Sequence, residues 1–218
     1  IDVEPGHYSD EWGTSEHLEC ALGTYQPNSG QMSCLNADSG HFVSSSGATS
    51  QSACPAGTYN PSEASGSAAD CAPADPGHYV GSQASSSQTP CSPGTYQDSL
   101  GQLSCIDAAP GYYVSVEGQA EQTPASLDTY ATGTASTSAE DCPEMYITLQ
   151  EGTDSGDDCF LDSDGDRIHD IADSDDDNDG VDDGTDMCPL GLMGWSSSPG
   201  SDNDADGCKD TEEDADDD

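Results

Sequence analysis

An aromatic residue recurs through the first two thirds of this chain at an almost constant interval. The steps between successive aromatic residues are 17, 17, 17, 20, 17, 17, 17 and 16 residues. An interval of this kind indicates a repeat architecture, in which each copy packs mainly against its neighbours. The nine aromatic positions are Tyr8, Tyr25, Phe42, Tyr59, Tyr79, Tyr96, Tyr113, Tyr130 and Tyr146.

A glycine stands two residues before the aromatic residue in the first seven copies, and Asp128 and Glu144 replace it in the last two. The copies alternate between Cys-x-x-Gly-Thr-Tyr, as at 20–25, and Pro-Gly-His-Tyr, as at 5–8, so the full unit is about 34 residues. Gly, Ser, Thr and Pro interrupt every window in which a helical stripe could form. We therefore expect an elongated ladder of β-hairpins, with about one hairpin per 17 residues.

The composition excludes an ordinary globular core. Leu, Ile, Val and Phe total 23 of 218 residues and the formal net charge is −42, which is typical of a disordered chain. Ten cysteines offer a substitute for the core, because they predict disulfide bonds formed in an extracellular or cell-surface setting. With Arg167 and Lys209 as the two basic residues, nucleic-acid binding is not expected. No stretch is apolar enough to predict membrane insertion.

The repeat register leaves two sensible disulfide schemes. Pairing between copies, as Cys34–Cys54 and Cys71–Cys91, would leave Cys20 and Cys105 unpaired, because Ala125 occupies the next cysteine place. Pairing across one aromatic residue leaves no cysteine over, and each such loop would stabilise the fold by roughly 3 kcal/mol. We therefore predict the bridges Cys20–Cys34, Cys54–Cys71, Cys91–Cys105 and Cys142–Cys159.

The motif Cys-x-x-Gly-Thr-Tyr, with a second cysteine 14 to 17 residues after the first, resembles the cysteine-rich repeats of ephrin-receptor-like ectodomains. The resemblance covers about residues 4–145. This chain departs from the pattern because alternate copies lack cysteine. The resemblance implies an extracellular modular stalk and does not identify a ligand.

The acidic residues divide the chain, because residues 1–150 hold 18 of them and residues 151–218 hold the other 26. We predict a cysteine-rich aromatic repeat array at 1–146, a linker or last rung at 147–159, and a calcium-binding segment at 160–218.

Three windows of the acidic segment fit a twelve-residue calcium loop with oxygen ligands at positions 1, 3, 5, 7, 9 and 12. Position 6 favours glycine, as at Gly180 and Gly207, and Arg167 at that position would cost about 1 kcal/mol if its φ is positive. A disordered acidic tail is the alternative, and the regular spacing of the carboxylates argues against it. The predicted ligands are Asp162, Asp164, Asp166, the Ile168 carbonyl, Asp170 and Asp173; Asp175, Asp177, Asp179, the Val181 carbonyl, Asp183 and Asp186; and Asp202, Asp204, Asp206, the Cys208 carbonyl, Asp210 and Glu213.

These windows resemble thrombospondin type 3 repeats. The first two loops begin 13 residues apart, and Asp-Met-Cys-Pro at 186–189 and Asp-Gly-Cys at 206–208 complete the pattern. The resemblance covers about residues 160–218 and implies a largely irregular fold wrapped around Ca²⁺, with more than three ions bound. It also implies that Cys188 pairs with Cys208.

No catalytic site is expected. The serines lie outside any Gly-x-Ser-x-Gly motif, the cysteines are assigned to bridges, and the paired carboxylates are assigned to calcium. Both ends of the sequence cut through a repeat, since Asp214, Asp216 and Asp218 fit the start of a fourth loop, so we expect a longer array.

The sequence as a whole predicts a small disulfide-rich, mostly β protein followed by an irregular calcium-wrapped segment. The first functional hypothesis is an extracellular structural stalk whose copies join head to tail in a filament. The alternative is a cysteine-rich receptor or adhesin ectodomain that binds a protein or a glycan, and a large exposed apolar patch would favour it. A weaker third hypothesis is a non-catalytic spacer of a secreted enzyme.

Overall fold

A computed structural model describes residues 3–11, 16–203 and 205–210, and the chain divides into two compact units. The first unit contains residues 1–108 and 114–123, and the second contains residues 109–113 and 124–218. The three segments predicted from the sequence, with boundaries after residues 146 and 159, are not tested by this division and stay a prediction. Among the described residues, no helix has the length and apolar character needed to cross a bilayer.

The described part of the first unit forms six antiparallel β-hairpins, each made of two strands of two residues. The hairpins, called rungs below, follow one another along the chain. They are β1 (His7–Tyr8) with β2 (Leu18–Glu19), β3 (Thr24–Tyr25) with β4 (Leu35–Asn36), β5 (His41–Phe42) with β6 (Ser52–Ala53), β7 (Thr58–Tyr59) with β8 (Ala72–Pro73), β9 (His78–Tyr79) with β10 (Thr89–Pro90), and β11 (Thr95–Tyr96) with β12 (Ile106–Asp107).

The remaining strands continue the same series. β13 (Tyr112–Tyr113) and β14 (Thr123–Pro124) form a two-stranded sheet, β15 (Thr129–Tyr130) pairs with β16 (Glu140–Asp141), and β17 (Tyr146–Ile147) pairs with β18 (Phe160–Leu161). Two short 3₁₀ turns complete the regular structure of the described residues, at Ala68–Asp70 and Gly156–Asp158. The predicted fold, paired hairpin strands in a ladder with almost no helix, is confirmed.

Backbone hydrogen bonds join each rung to the next. The Gly23 N–H donates to the Val43 carbonyl of the next rung (2.8 Å), and the Ala37 N–H, in the same rung as Gly23, donates to the Gly23 carbonyl (2.8 Å). The same two bonds recur at Gly40, whose N–H donates to the Asn60 carbonyl (2.7 Å). The repeat glycine has φ between 79° and 86° in all seven copies, which is a backbone conformation that glycine adopts without strain. The ladder is thus specified by backbone geometry rather than by large side chains.

The interior of the ladder consists of two narrow columns of small or polar residues. One column is the residue after the aromatic, such as Gln26, Val43 and Asn60, each at most 3 % exposed. The Gln26 side-chain amide donates to the Ser33 carbonyl (2.8 Å), so a buried polar group is satisfied. The aromatic rings themselves are only half-buried. The other column lies five residues before the aromatic, and its fully buried members are Cys20, Ala37, Cys54, Ala74, Cys91, Ala108 and Ala125.

Five disulfides are present, and the described chain has no free cysteine. They join the pairs that the repeat register and the second resemblance predict. Two of the bridges span 17 residues instead of 14, and each of those two loops contains one of the 3₁₀ turns. A single turn of 3₁₀ helix therefore absorbs the additional residues without changing the rung. The five pairs are Cys20–Cys34, Cys54–Cys71, Cys91–Cys105, Cys142–Cys159 and Cys188–Cys208.

The ninth rung differs in register from the prediction. Ile147, not Tyr146, occupies the place of the recurring aromatic, which makes the step from Tyr130 a regular 17 residues. Ile147 is 8 % exposed, Tyr146 is 37 % exposed, and the positive φ of 68° belongs to Met145. Aromatic character favours Tyr146 in the sequence, whereas the apolar side chain of Ile147 occupies this position of the rung.

We predict that Gly23→Ala destabilises the first unit more than a glycine substitution with the same backbone strain would. A Cβ at Gly23 would overlap the carbonyl oxygen of Ala64, two rungs away, in addition to adopting φ of +81°. The free energy of unfolding should fall by about 2–4 kcal/mol.

The matched control is Gly118→Ala in the same unit, where φ is +74° and the atom nearest to the added Cβ is Pro90 Cβ at 3.8 Å, an ordinary contact. This variant should lose only about 1 kcal/mol. Thermal and denaturant unfolding of both variants tests the difference, and equal losses would contradict the close approach between rungs.

Candidate metal centre

The first acidic loop (162–173) continues the register of the ladder. Asp162 follows a bridged cysteine by three residues, as the buried Ala74 does. The Asp162 N–H donates to the Met145 carbonyl (2.8 Å), and the Ala74 N–H makes the equivalent bond to the carbonyl of Gly57, the repeat glycine of its own rung (2.9 Å). Asp162 is 4 % exposed. A buried carboxylate thus stands where the ladder has a buried alanine, and the irregular segment begins there.

In two loops, the carboxylates predicted at positions 1, 3 and 5 converge. Each set offers three ligand atoms that all lie within 4.8 Å of one another. Like charges held this close repel one another strongly unless a cation or protons neutralise them. The converging sets are Asp162, Asp164 and Asp166 in the first loop, and Asp175, Asp177 and Asp179 in the second loop (175–186).

The described residues of all three loops share one hydrogen-bond pattern. In each loop the N–H at position 2 donates to the carboxylate at position 9, and the N–H at position 7 donates to the carboxylate at position 5. The N–H at position 9 donates to the carbonyl that precedes position 1. For the carboxylate at position 9, the donor–acceptor pairs are Ser163–Asp170 (2.9 Å), Asp176–Asp183 (2.9 Å) and Asn203–Asp210 (2.9 Å). For the carboxylate at position 5 they are Ile168–Asp166 (2.7 Å), Val181–Asp179 (2.8 Å) and Cys208–Asp206 (2.9 Å).

Position 6 has a positive φ in every loop. The angle is 76° at Arg167, 98° at Gly180 and 87° at Gly207. Arg167 therefore adopts the turn that glycine makes in the other two loops, and it carries the strain anticipated from the sequence. The three loops follow the same backbone path at this point although their residues differ.

The loops also contact one another. The Asn178 side-chain amide, in the second loop, donates to the Asp164 carboxylate of the first loop. Asp186, at position 12 of the second loop, packs against Gly207 of the third loop (202–213) so closely that a Cβ there would overlap its carboxylate. The Met187 N–H donates to the Asp206 carbonyl (2.7 Å). The described parts of the three acidic loops are therefore joined to one another through polar contacts.

Several carboxylates of the acidic loops are buried, and some of their oxygens lack a hydrogen-bond partner among the described atoms. Asp177 and Asp179 are each 1 % exposed, and Asp179 Oδ2 and Asp186 Oδ2 are buried without a hydrogen-bond partner among the described atoms. Burial raises the pKa of all three side chains, and neighbouring carboxylates add to the effect. Burial and the negative charge of Asp183 raise the pKa of Asp176 to about 6. Carboxylates that resist ionisation when alone are the groups that a bound cation would stabilise.

Asp202 in the third loop is the exception. Burial raises its pKa, but hydrogen bonds from the Ser197 hydroxyl (2.6 Å) and from the Gly207 and Asp206 N–H groups outweigh burial and lower it overall. This carboxylate is ionised and held by donors before any cation binds.

The predicted ligands differ in the contacts that they make. The carboxylates at positions 1, 3 and 5 converge in the first two loops, while those at position 9 brace the loop through the N–H at position 2. Asp173 Oδ1 accepts from the Ser174 N–H (2.7 Å) and caps the start of the second loop. Asp204 and Glu213 lie outside the described residues, as does the predicted fourth loop.

Three residues that contact the acidic loops were not predicted from the sequence to do so. Asp176 and Asn178 lie between the predicted ligands of the second loop, and Asp128 belongs to the ladder but contacts Arg167. A twelve-residue motif counts positions within one loop, so it contains no signal for contacts between loops or with the ladder.

Comparison with known proteins supports the ephrin-receptor-like resemblance for the first rungs of the ladder. Residues 6–54, which span the first three rungs, match the family described as tyrosine-protein kinase ephrin type A/B receptor-like. A search of curated proteins finds no match. The family match ends at residue 54 and covers less than a quarter of the chain. The resemblance of the later rungs to that family, and of the acidic segment to thrombospondin type 3 repeats, therefore stays a prediction.

We predict that Asp179→Asn weakens cation binding more than a surface substitution of equal charge does. Removal of one buried carboxylate from a convergent set should raise the calcium concentration needed to order the segment by roughly tenfold, because affinity follows the number of charged ligands. Calcium titration followed by protease resistance measures the shift.

Asp182→Asn is the matched control, because Asp182 is exposed in the same loop and the charge change is identical. Equal shifts for the two variants would show that only the total charge of the segment matters.

Proposed function

We propose that the chain is a non-catalytic, cysteine-rich ectodomain segment of an extracellular or cell-surface protein, whose acidic part folds around calcium. The observation that carries the proposal is the ladder of hairpins with disulfide-bonded rungs, part of which matches an ephrin-receptor-like family. Structural disulfides form and persist in oxidising compartments. The bridges supply the stability that the narrow interior of the ladder cannot.

Calcium fits the acidic loops better than other common metals. The converging ligands are all carboxylate oxygens, without the imidazole or thiolate groups that zinc selects. Calcium accepts six to eight oxygens in a flexible arrangement, whereas magnesium retains much of its water. A calcium ion bound in the first loop would neutralise Asp162, Asp164 and Asp166. A second ion in the second loop would neutralise Asp175, Asp177 and Asp179. Its role would be structural, and its affinity on the order of 10⁻⁴–10⁻³ M, as in other extracellular modules.

Recognition of a protein or glycan partner is favoured over filament assembly. Large apolar side chains recur at corresponding exposed positions of two rungs, with Met32 and Leu35 (both 47 %) flanking one cysteine and Leu103 (54 %) and Ile106 (44 %) flanking another. A contiguous exposed apolar patch is typical of a binding surface, and these repeated positions are the candidates for such a patch on this chain. Filament assembly has no comparable observation in its favour and stays a prediction from the sequence.

We expect calcium removal to open the acidic segment while leaving the ladder folded. Trypsin is the sharpest probe, because Arg167 and Lys209 are the only basic residues of the sequence and both lie in that segment. Cleavage at Arg167 should accelerate at least tenfold in chelator, since mutual repulsion of the carboxylates opposes compaction.

Magnesium at equal ionic strength is the control for general screening, and a glutamate-specific protease reports on the ladder in the same samples. Unchanged tryptic cleavage in chelator would contradict the calcium proposal.

The location is tested separately. Antibodies raised against this chain should label intact, non-permeabilised cells of the source organism or their medium. The protein recovered there should carry no reactive thiol before reduction, because all ten cysteines are bridged. Labelling only after permeabilisation would contradict the extracellular assignment.

A further inference from the structure

Two residues of the second unit occupy glycine positions of two different repeats. Asp128 takes the place of the ladder glycine found in seven earlier copies, and its φ is 65°. Arg167 takes the place of the glycine at position 6 of the other two acidic loops, and its φ is 76°. Each side chain makes a left-handed backbone conformation more costly than glycine would. Local backbone geometry therefore explains neither residue.

The side chains of these two residues meet. Arg167 Nη2 donates to Asp128 Oδ1 (3.1 Å) and Nη1 donates to Oδ2 (3.2 Å), which is the parallel arrangement of a bidentate pair. The hydrogen bonds to Asp128 and its negative charge raise the pKa of Arg167 further above its usual value. Arg167, one of the two basic residues in this highly acidic chain, thus forms an ion pair with a carboxylate of the ladder.

Both partners are anchored on their own side. The Asp128 N–H donates to Thr148 Oγ1 (2.9 Å), and the Thr148 N–H donates back to Asp128 Oδ1 (3.3 Å), so the following rung fixes the carboxylate. The Arg167 N–H donates to Asp162 Oδ2 (3.2 Å), which is a predicted ligand of the first loop. A short chain of contacts therefore runs from the rung of β17 and β18 to the first acidic loop.

We propose that the Arg167–Asp128 pair is a clamp that positions the first acidic loop on the last rungs of the ladder. The contact accounts for the opposite charges of the side chains that stand at these two positions. Position 6 of the second loop is Gly180, and no described atom lies within 4 Å of a Cβ built there, so glycine at this position is not imposed by crowding. The clamp is independent of the identity of the bound cation, and it goes beyond the function proposed above.

The experiment is a double-mutant cycle read by amide hydrogen exchange of the full chain in calcium buffer at low ionic strength. The variants are Arg167→Gly, Asp128→Gly and the double variant, because glycine suits the backbone at both positions. Arg167→Gly should accelerate exchange of the amides at 162–170 at least fivefold. The double variant should exchange no faster than the faster single variant, because the two residues act through one contact.

Two further variants separate the clamp from a general structural role. Arg167→Lys should recover part of the protection, since it keeps the charge but not the bidentate geometry. Glu144→Gln, which removes an exposed carboxylate from the neighbouring rung, should leave loop exchange within twofold of the native chain.

The clamp is wrong if Arg167→Gly leaves loop exchange unchanged or slows it, because loss of a contact that positions the loop must accelerate exchange by more than relief of backbone strain slows it. It is also wrong if the effects of the two single variants multiply in the double variant. Measurement of the native chain in calcium and in chelator tests the proposed ion separately. A lack of response to calcium would overturn that proposal while the comparison between variants still decides the clamp.

Discussion

The hydrogen bonds between the backbones of successive rungs are the interaction on which this structure depends. They require that the chain pass close to itself, and the repeat glycine allows this through its positive φ and its missing Cβ. The column of buried cysteine and alanine follows from the same restriction, because a larger side chain would separate the rungs. Disulfides then supply the stability that an apolar core provides in an ordinary domain.

The acidic segment meets the same shortage of apolar side chains in another way. Its loops are braced by N–H groups that donate to carboxylates, which satisfies the backbone but concentrates negative charge inside the protein. The raised pKa values of Asp177, Asp179 and Asp186 express the cost of that concentration. A cation would convert the same carboxylates from a destabilising group into a cross-link between loops.

Much of the ladder could be predicted from the sequence, because a repeat presents the same information many times. The hairpin spacing and the pairing of Cys20 with Cys34 follow from register alone. The ninth rung was misplaced by one residue, since a single copy with Tyr146 beside Ile147 offers two candidates for one position. The contacts of Asp128 with Arg167 and of Asp186 with Gly207 could not be predicted, because they join residues from different motifs and depend on three-dimensional placement.

The disulfides at Cys20–Cys34 and Cys91–Cys105 each close a loop within one rung, and the contacts between rungs are made by backbone groups that every copy possesses. A whole rung can therefore be gained or lost without leaving an unpaired thiol or a broken contact. Insertions and deletions of single residues lack this freedom, except where a 3₁₀ turn such as Ala68–Asp70 takes up the extra length. Genes that encode such a ladder should accordingly vary in length between lineages by whole repeats, and the length of the array becomes an inherited trait that recombination can adjust.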